Sequence, residues 1–141
     1  MHARADEIVA RANEYVGTRY RQWGRSMTSG VDCIGLIICV GRDLGLTDHD
    51  TTTYSSRPNV PEFDRFMIDG GYVLRPYSEL SHGDIIRLSA PKWPVHSAIV
   101  EVDEHGDPWF IHAYLPYRKV AKERLTSGAD MKLSSVWSYP L

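Results

Sequence analysis

The chain has 141 residues, 16 basic against 18 acidic side chains and a net charge of −2. That balance offers no positive field for nucleic acid, and the length is enough for one hydrophobic core. No apolar run approaches the ~20 residues needed to cross a bilayer, so membrane insertion is not expected either.

The N-terminus is a charged amphipathic segment with no apolar signal core, which predicts a chain that is cytoplasmic at synthesis. Ala5, Ile8, Val9, Ala12 and Val16 recur at helical spacing, and Gly17 is placed to close a first helix over residues 4–16. Residues 18–25 follow as a loop with two aromatics, Tyr20 and Trp23, and the arginines Arg19, Arg21 and Arg25. The aromatics either pack beneath the next helix or stand beside its start. After Thr28-Ser29-Gly30 comes the most organised stretch, Asp32-Cys33-Ile34-Gly35-Leu36-Ile37. From Cys33 the apolar residues Leu36, Ile37, Val40 and Leu44 keep helical spacing up to Gly45, and the helix is apolar enough to be buried. Asp32 occupies the N-cap position and Cys33 the first turn.

Residues 47–61 form a long polar segment, and such segments in compact folds commonly line a site. Residues 61–68 read as a short helix ended by Gly70-Gly71, and residues 72–74 as extended. The turn residues Ser81-His82-Gly83-Asp84 lead into a strand at Ile85-Ile86-Arg87-Leu88. Residues 95–102 alternate, with His96, Ala98, Val100 and Val102 on one face, and residues 109–114 do the same with Phe110, His112 and Tyr114. The turn between them predicts a hairpin that brings His96 and His112 close. Further strands are expected at residues 118–125 and 133–139, which makes the layout α+β within a single domain spanning residues 1–141.

The chemistry centres on Cys33. Exposed N–H groups at a helix start favour an anion, and the thiolate is the nucleophilic form of cysteine. A helix terminus supplies about 0.3–1 kcal/mol, less than one pKa unit, and the Asp32 charge opposes it. A nucleophilic role therefore requires a base, and the base a third group to orient it. His96 at the beginning of its strand and His112 on the neighbouring strand offer both. Cys39, in apolar surroundings within the helix, reads as a small hydrophobe, and two cysteines on different faces of one helix are poorly placed to bridge. A catalytic zinc on Cys33, His96 and His112 is the rival arrangement, but no CxxC or HxxxH spacing supports it. No metal and no cofactor is expected.

Asp32-Cys33-Ile34-Gly35-Leu36, His82-Gly83-Asp84-Ile85-Ile86, Val95-His96-Ser97-Ala98-Ile99-Val100 and Phe110-Ile111-His112-Ala113 together resemble the NlpC family of cell-wall cysteine peptidases. The Tyr20-Arg21-Gln22-Trp23-Gly24 segment looks most like members encoded among phage-tail or gene-transfer-agent genes. The resemblance implies a papain-like α+β fold with the nucleophile at a helix start packed on an antiparallel sheet. It implies hydrolysis of amide bonds in murein stem peptides, typically between D-glutamate and a diamino acid. Cys33 would be the nucleophile, His96 the base and His112 the orienting member. Tyr20 would approach the thiol, with Trp23, Asp32 and Arg21 in supporting or substrate-binding places. Ile34 stands where that family has serine, Arg19 where it has proline, and the loop around Trp23 has one residue more. No wall-binding module accompanies the motifs, so phage-like tail proteins are the expected targeting partners and a tail particle the expected destination. A thiol acyltransferase or amidase on another substrate, and a non-catalytic tail component binding wall peptide, are the competing readings.

Overall fold

The computed structural model describes residues 1–90, 92–126 and 131–141. Three helices cover one side of a six-stranded sheet. The first, α1 (Ala5–Glu14), buries Ala5, Ile8, Val9 and Ala12. It ends two residues before the predicted boundary because Tyr15 turns inward to donate to Asp43 Oδ2 at 2.6 Å. Gly17, with φ +92°, then donates its N–H to Val120 O at 2.9 Å. A small hairpin, β1 (Arg25–Ser26) with β2 (Gly30–Val31), follows. Two-residue strands carry no alternation, so sequence periodicity gave no sign of it.

Next comes α2 (Cys33–Asp43), whose residues from Ile34 to Gly41 are all buried. The third helix, α3 (Val60–Asp69), is capped by the Asn59 side chain, which accepts from the Glu62 N–H at 2.8 Å. The strands are β3 (Val73–Arg75), β4 (Ile85–Ala90), β5 (Trp93–Val102), β6 (Pro108–Tyr114), β7 (Lys119–Arg124) and β8 (Lys132–Ser138). Their spatial order is β3-β8-β4-β5-β6-β7, all neighbours antiparallel.

Strand alternation divides the apolar residues between two faces. Val95 and Ile99 of β5 with Ile111 and Ala113 of β6 join the helix-side core around Leu36, Ile37 and Val40. Ala98, Val100 and Phe110 belong to a second cluster with Ile86, Leu88 and Val136. His96 and His112 share parity with this second set, so they stand on the face turned away from α2. Strand parity alone therefore carries neither histidine to the helix start. In the ladder, β5 and β6 pair from Val102↔Pro108 to Ile99↔Ile111 and no further among the described residues. The Val100 N–H bonds to Asp84 O at 2.8 Å, so alternation turns the main chain of Ser97 toward β6. There it meets no ladder partner, and the start of α2 is seated at this opening.

Candidate active site

Asp32 organises the start of α2. Its Oδ1 accepts from the Gly35 N–H at 2.7 Å, the capping bond of the helix. Its Oδ2 accepts from the Trp23 N–H at 2.7 Å and from the Tyr54 hydroxyl at 2.6 Å, and Arg25 Nη1 lies 3.5 Å from Oδ1. One buried carboxylate thus ties together the loop before the helix, the helix itself and the polar segment after it. Gly35 is required here, since a Cβ at that position would lie 2.3 Å from Gly24 O. Trp23 is held at φ 59°, and its indole N–H donates to Tyr54 O at 2.9 Å.

The Cys33 thiol sits among the Ile34 N–H and the N–H and hydroxyl of Ser97, all of which favour charge on the sulfur. Burial outweighs them. Together with the Asp32 charge it pushes the thiol up to about 11. Ser97 is fully buried, and its hydroxyl makes no hydrogen bond of ordinary geometry among the described residues. Its proton is therefore available to the sulfur. Tyr20 packs against the same core as Cys33. Burial, then the charges of Cys33 and Asp32, hold its phenol well above the usual tyrosine range.

Behind Ser97 the histidines form a chain. His96 Nε2 and His112 Nδ1 are 2.7 Å apart, and His112 Nε2 lies 2.7 Å from Glu123 Oε2 on β7. The other carboxylate oxygen accepts from the Tyr117 hydroxyl at 2.8 Å. Both imidazoles are buried. Burial, reinforced by His112, drives His96 down to about 3, and burial lowers His112 despite the raising effect of Glu123. At rest the thiol is neutral and so is the imidazole one strand position from Ser97, because burial penalises charge on either. Among the described residues no group of three or more His, Cys, Asp or Glu side chains is arranged to hold a metal ion.

The predicted residues fall into three groups. His96 and His112 are in direct contact, Cys33 lies next to Ser97 with Tyr20 packed on the same core, and Asp32 and Trp23 form the scaffold at the start of α2. Arg21 contributes its main chain, donating to Val31 O at 3.0 Å, with its side chain exposed. Arg25, one of the three arginines of the 18–25 loop, is spent internally. It bonds Asp50 Oδ1 at 3.0 Å, Thr51 O at 2.8 Å and the Tyr54 hydroxyl at 3.0 Å. Tyr54, Ser97 and Glu123 were not foreseen. The length of the 47–61 segment pointed to the neighbourhood of Tyr54, but Glu123 lies in a strand whose alternation singles out no residue.

No family model matches the sequence, and the comparison with curated proteins returns no match. Solved structures do match. The NlpC/p60 domain of the peptidoglycan hydrolase SagA shares 25% identity, covering 95% of this chain and 97% of that one, with a TM-score of 0.64. An NlpC/p60 family protein from Bacillus cereus superposes at a TM-score of 0.68 with 22% identity, over 97% of this chain but only 40% of that one. The peptidoglycan hydrolase RipB from Mycobacterium tuberculosis gives 0.61 with 18% identity, over 96% and 66%. The chain therefore spans all but the ends of the SagA domain and less than two thirds of the other two proteins. With three helices on one side of an antiparallel sheet and Cys33 opening the central helix, the fold of this chain is the papain-like α+β fold of the NlpC/p60 proteins.

Proposed function

We propose that the protein is a cell-wall hydrolase of the cysteine endopeptidase type, cutting an amide bond in peptidoglycan stem peptides between D-glutamate and a diamino acid. The observation that carries this reading is the buried His96–His112 contact of 2.7 Å adjoining the strand position, Ser97, that cradles the Cys33 thiol. The peptidoglycan hydrolases of the same fold supply the substrate class.

In this mechanism the Cys33 proton passes to His96 as the sulfur attacks the scissile carbonyl carbon, forming the C–S bond. Concerted transfer suits a site that disfavours a standing ion pair, because charge appears only when substrate has sealed the opening. Tyr20, whose hydroxyl otherwise reaches only Gln22 Oε1 among the described residues, at 3.5 Å, is the donor assigned to the developing oxyanion. The tetrahedral species collapses, the C–N bond breaks, and the amine leaves with the proton held on His96. Water, deprotonated by His96, then hydrolyses the thioester and restores the thiol. Arg19 and Arg21, exposed on the approaching loop, are the cations available to a stem-peptide carboxylate.

The Tyr20-Arg21-Gln22-Trp23-Gly24 segment supports association with phage-like tail proteins, and with it a tail-borne enzyme acting on the wall. Mass spectrometry of purified murein peptides incubated with the protein and with Cys33→Ala tests the function. New termini at a single stem-peptide bond, absent with the variant, are expected. Intact peptides, or equal cleavage by the variant, overturn it.

A further inference from the structure

We propose that Glu123 is a positioning residue which, acting through His112, holds His96 in the one tautomer whose bare nitrogen is Nδ1, the nitrogen left for Cys33. The inference rests on the Cys33–His96 reading above and adds a member that neither the motifs nor the strand pattern points to.

The argument follows protons along the chain. A phenol in contact with a carboxylate donates to it, and a carboxylate only accepts. Glu123 Oε1 already takes the Tyr117 proton at 2.8 Å, so at the 2.7 Å contact with Oε2 the proton belongs to His112 Nε2. Burial keeps His112 neutral, and a neutral imidazole carries a single N–H. Its Nδ1 is therefore bare and accepts, at 2.7 Å, the proton of His96 Nε2. His96, also neutral, is then bare at Nδ1. Each step is forced by the one before it, and the direction of the whole chain is set at Glu123.

Ring rotation offers no way round. His112 is packed by Phe110 at 4.4 Å, Tyr114 at 5.3 Å and Tyr117 at 6.0 Å between ring centroids, with His96 at 5.0 Å. Tyr117 comes from the short turn Leu115–Tyr117, which ends at Arg118 with φ 60°. Without Glu123, His112 is free to carry its proton on Nδ1. His96 Nε2 must then accept, its proton moves to Nδ1, and the nitrogen that His112 leaves unengaged can no longer act as a base.

The test uses long-range 1H–15N correlations of the histidine rings in the full chain, wild type against Glu123→Ala and Glu123→Gln, with kcat and KM measured on a defined stem peptide. In the wild type both imidazoles should carry their proton on Nε2. In Glu123→Ala the Nδ1–H form should appear in both rings, and kcat should fall roughly 10- to 100-fold, as for a lost charge-assisted hydrogen bond, with KM within about twofold. Glu123→Gln should not restore the wild-type rate, because its amide can present N–H to His112. Glu123 is partly exposed on the edge strand β7, so both variants should fold, which their thermal midpoints check. Wild-type tautomers persisting in Glu123→Ala, or an unchanged kcat, overturn the proposal. A wild type that cleaves no stem peptide but whose tautomers respond as stated refutes the substrate assignment and leaves the role of Glu123 standing.

Discussion

Asp32→Ala sets two effects of one carboxylate against each other. The side chain is buried and accepts three hydrogen bonds of 2.6–2.7 Å, from Gly35, Trp23 and Tyr54, with Arg25 3.5 Å away. Loss of the helix cap costs about 1 kcal/mol. The two remaining donors and the Arg25 charge lose a charged acceptor in a place water does not reach, for a total of about 3–5 kcal/mol. At roughly 3–4 °C per kcal/mol for a chain of this length, the thermal midpoint should fall by about 10–20 °C. Yet Asp32 is also the second cause, after burial, of the raised thiol pKa. In the folded variant the Cys33 thiol should therefore titrate lower than in the wild type. Circular-dichroism melting gives the first quantity, and the pH dependence of alkylation, measured well below the variant's midpoint, gives the second. A midpoint shift under about 3 °C would show that the carboxylate is not the hub described. A thiol pKa that stays put or rises would refute the electrostatic reasoning.

Iodoacetamide with peptide mapping should modify Cys33 and spare Cys39, which is wholly buried in α2; preferential labelling of Cys39 would remove the nucleophile assignment. His96→Ala should abolish turnover and slow that labelling, whereas His112→Ala should retain some activity, because an orienting group costs less to lose than the base. Ser97→Ala should raise the thiol pKa and slow acylation without lowering stability, since the hydroxyl it removes has no ordinary partner; a large fall in the melting midpoint would contradict this. His96 is lowered from 6.5 to about 3 by burial, so the unfolded chain binds the proton more tightly than the folded one. Stability should be intact above pH 6.5 and lost progressively toward pH 3, by at most about 4–5 kcal/mol from this group; urea midpoints that are flat across that window, or as steep in His96→Gln, would argue against it. Activity should survive a chelator and be lost on thiol alkylation, and chelator-sensitive activity with stoichiometric zinc in the preparation would replace the thiol mechanism with a metal-based one.

Much of the fold was legible because its signals are local. The capping aspartate and apolar spacing after it announce α2 within a dozen residues, and the alternation at residues 95–102 and 109–114 announces a hairpin whatever it packs against. The same patterns brought His96 and His112 together, since a short turn leaves two strands little choice of partner. Other features depended on closure of the whole molecule. Whether Arg25 met substrate or Asp50, whether Tyr54 reached Asp32 across 22 residues, and which residue of β7 would face His112 all follow from register and from loops docking over long separations. The end of the β5–β6 ladder at Ile99↔Ile111 is likewise a tertiary outcome. Hydrogen-bond direction has the longest reach: the proton on His96 is fixed by a carboxylate 27 positions away, through contacts between side chains on three strands. Local periodicity determines which face a residue takes, but only the assembled sheet decides what it finds there.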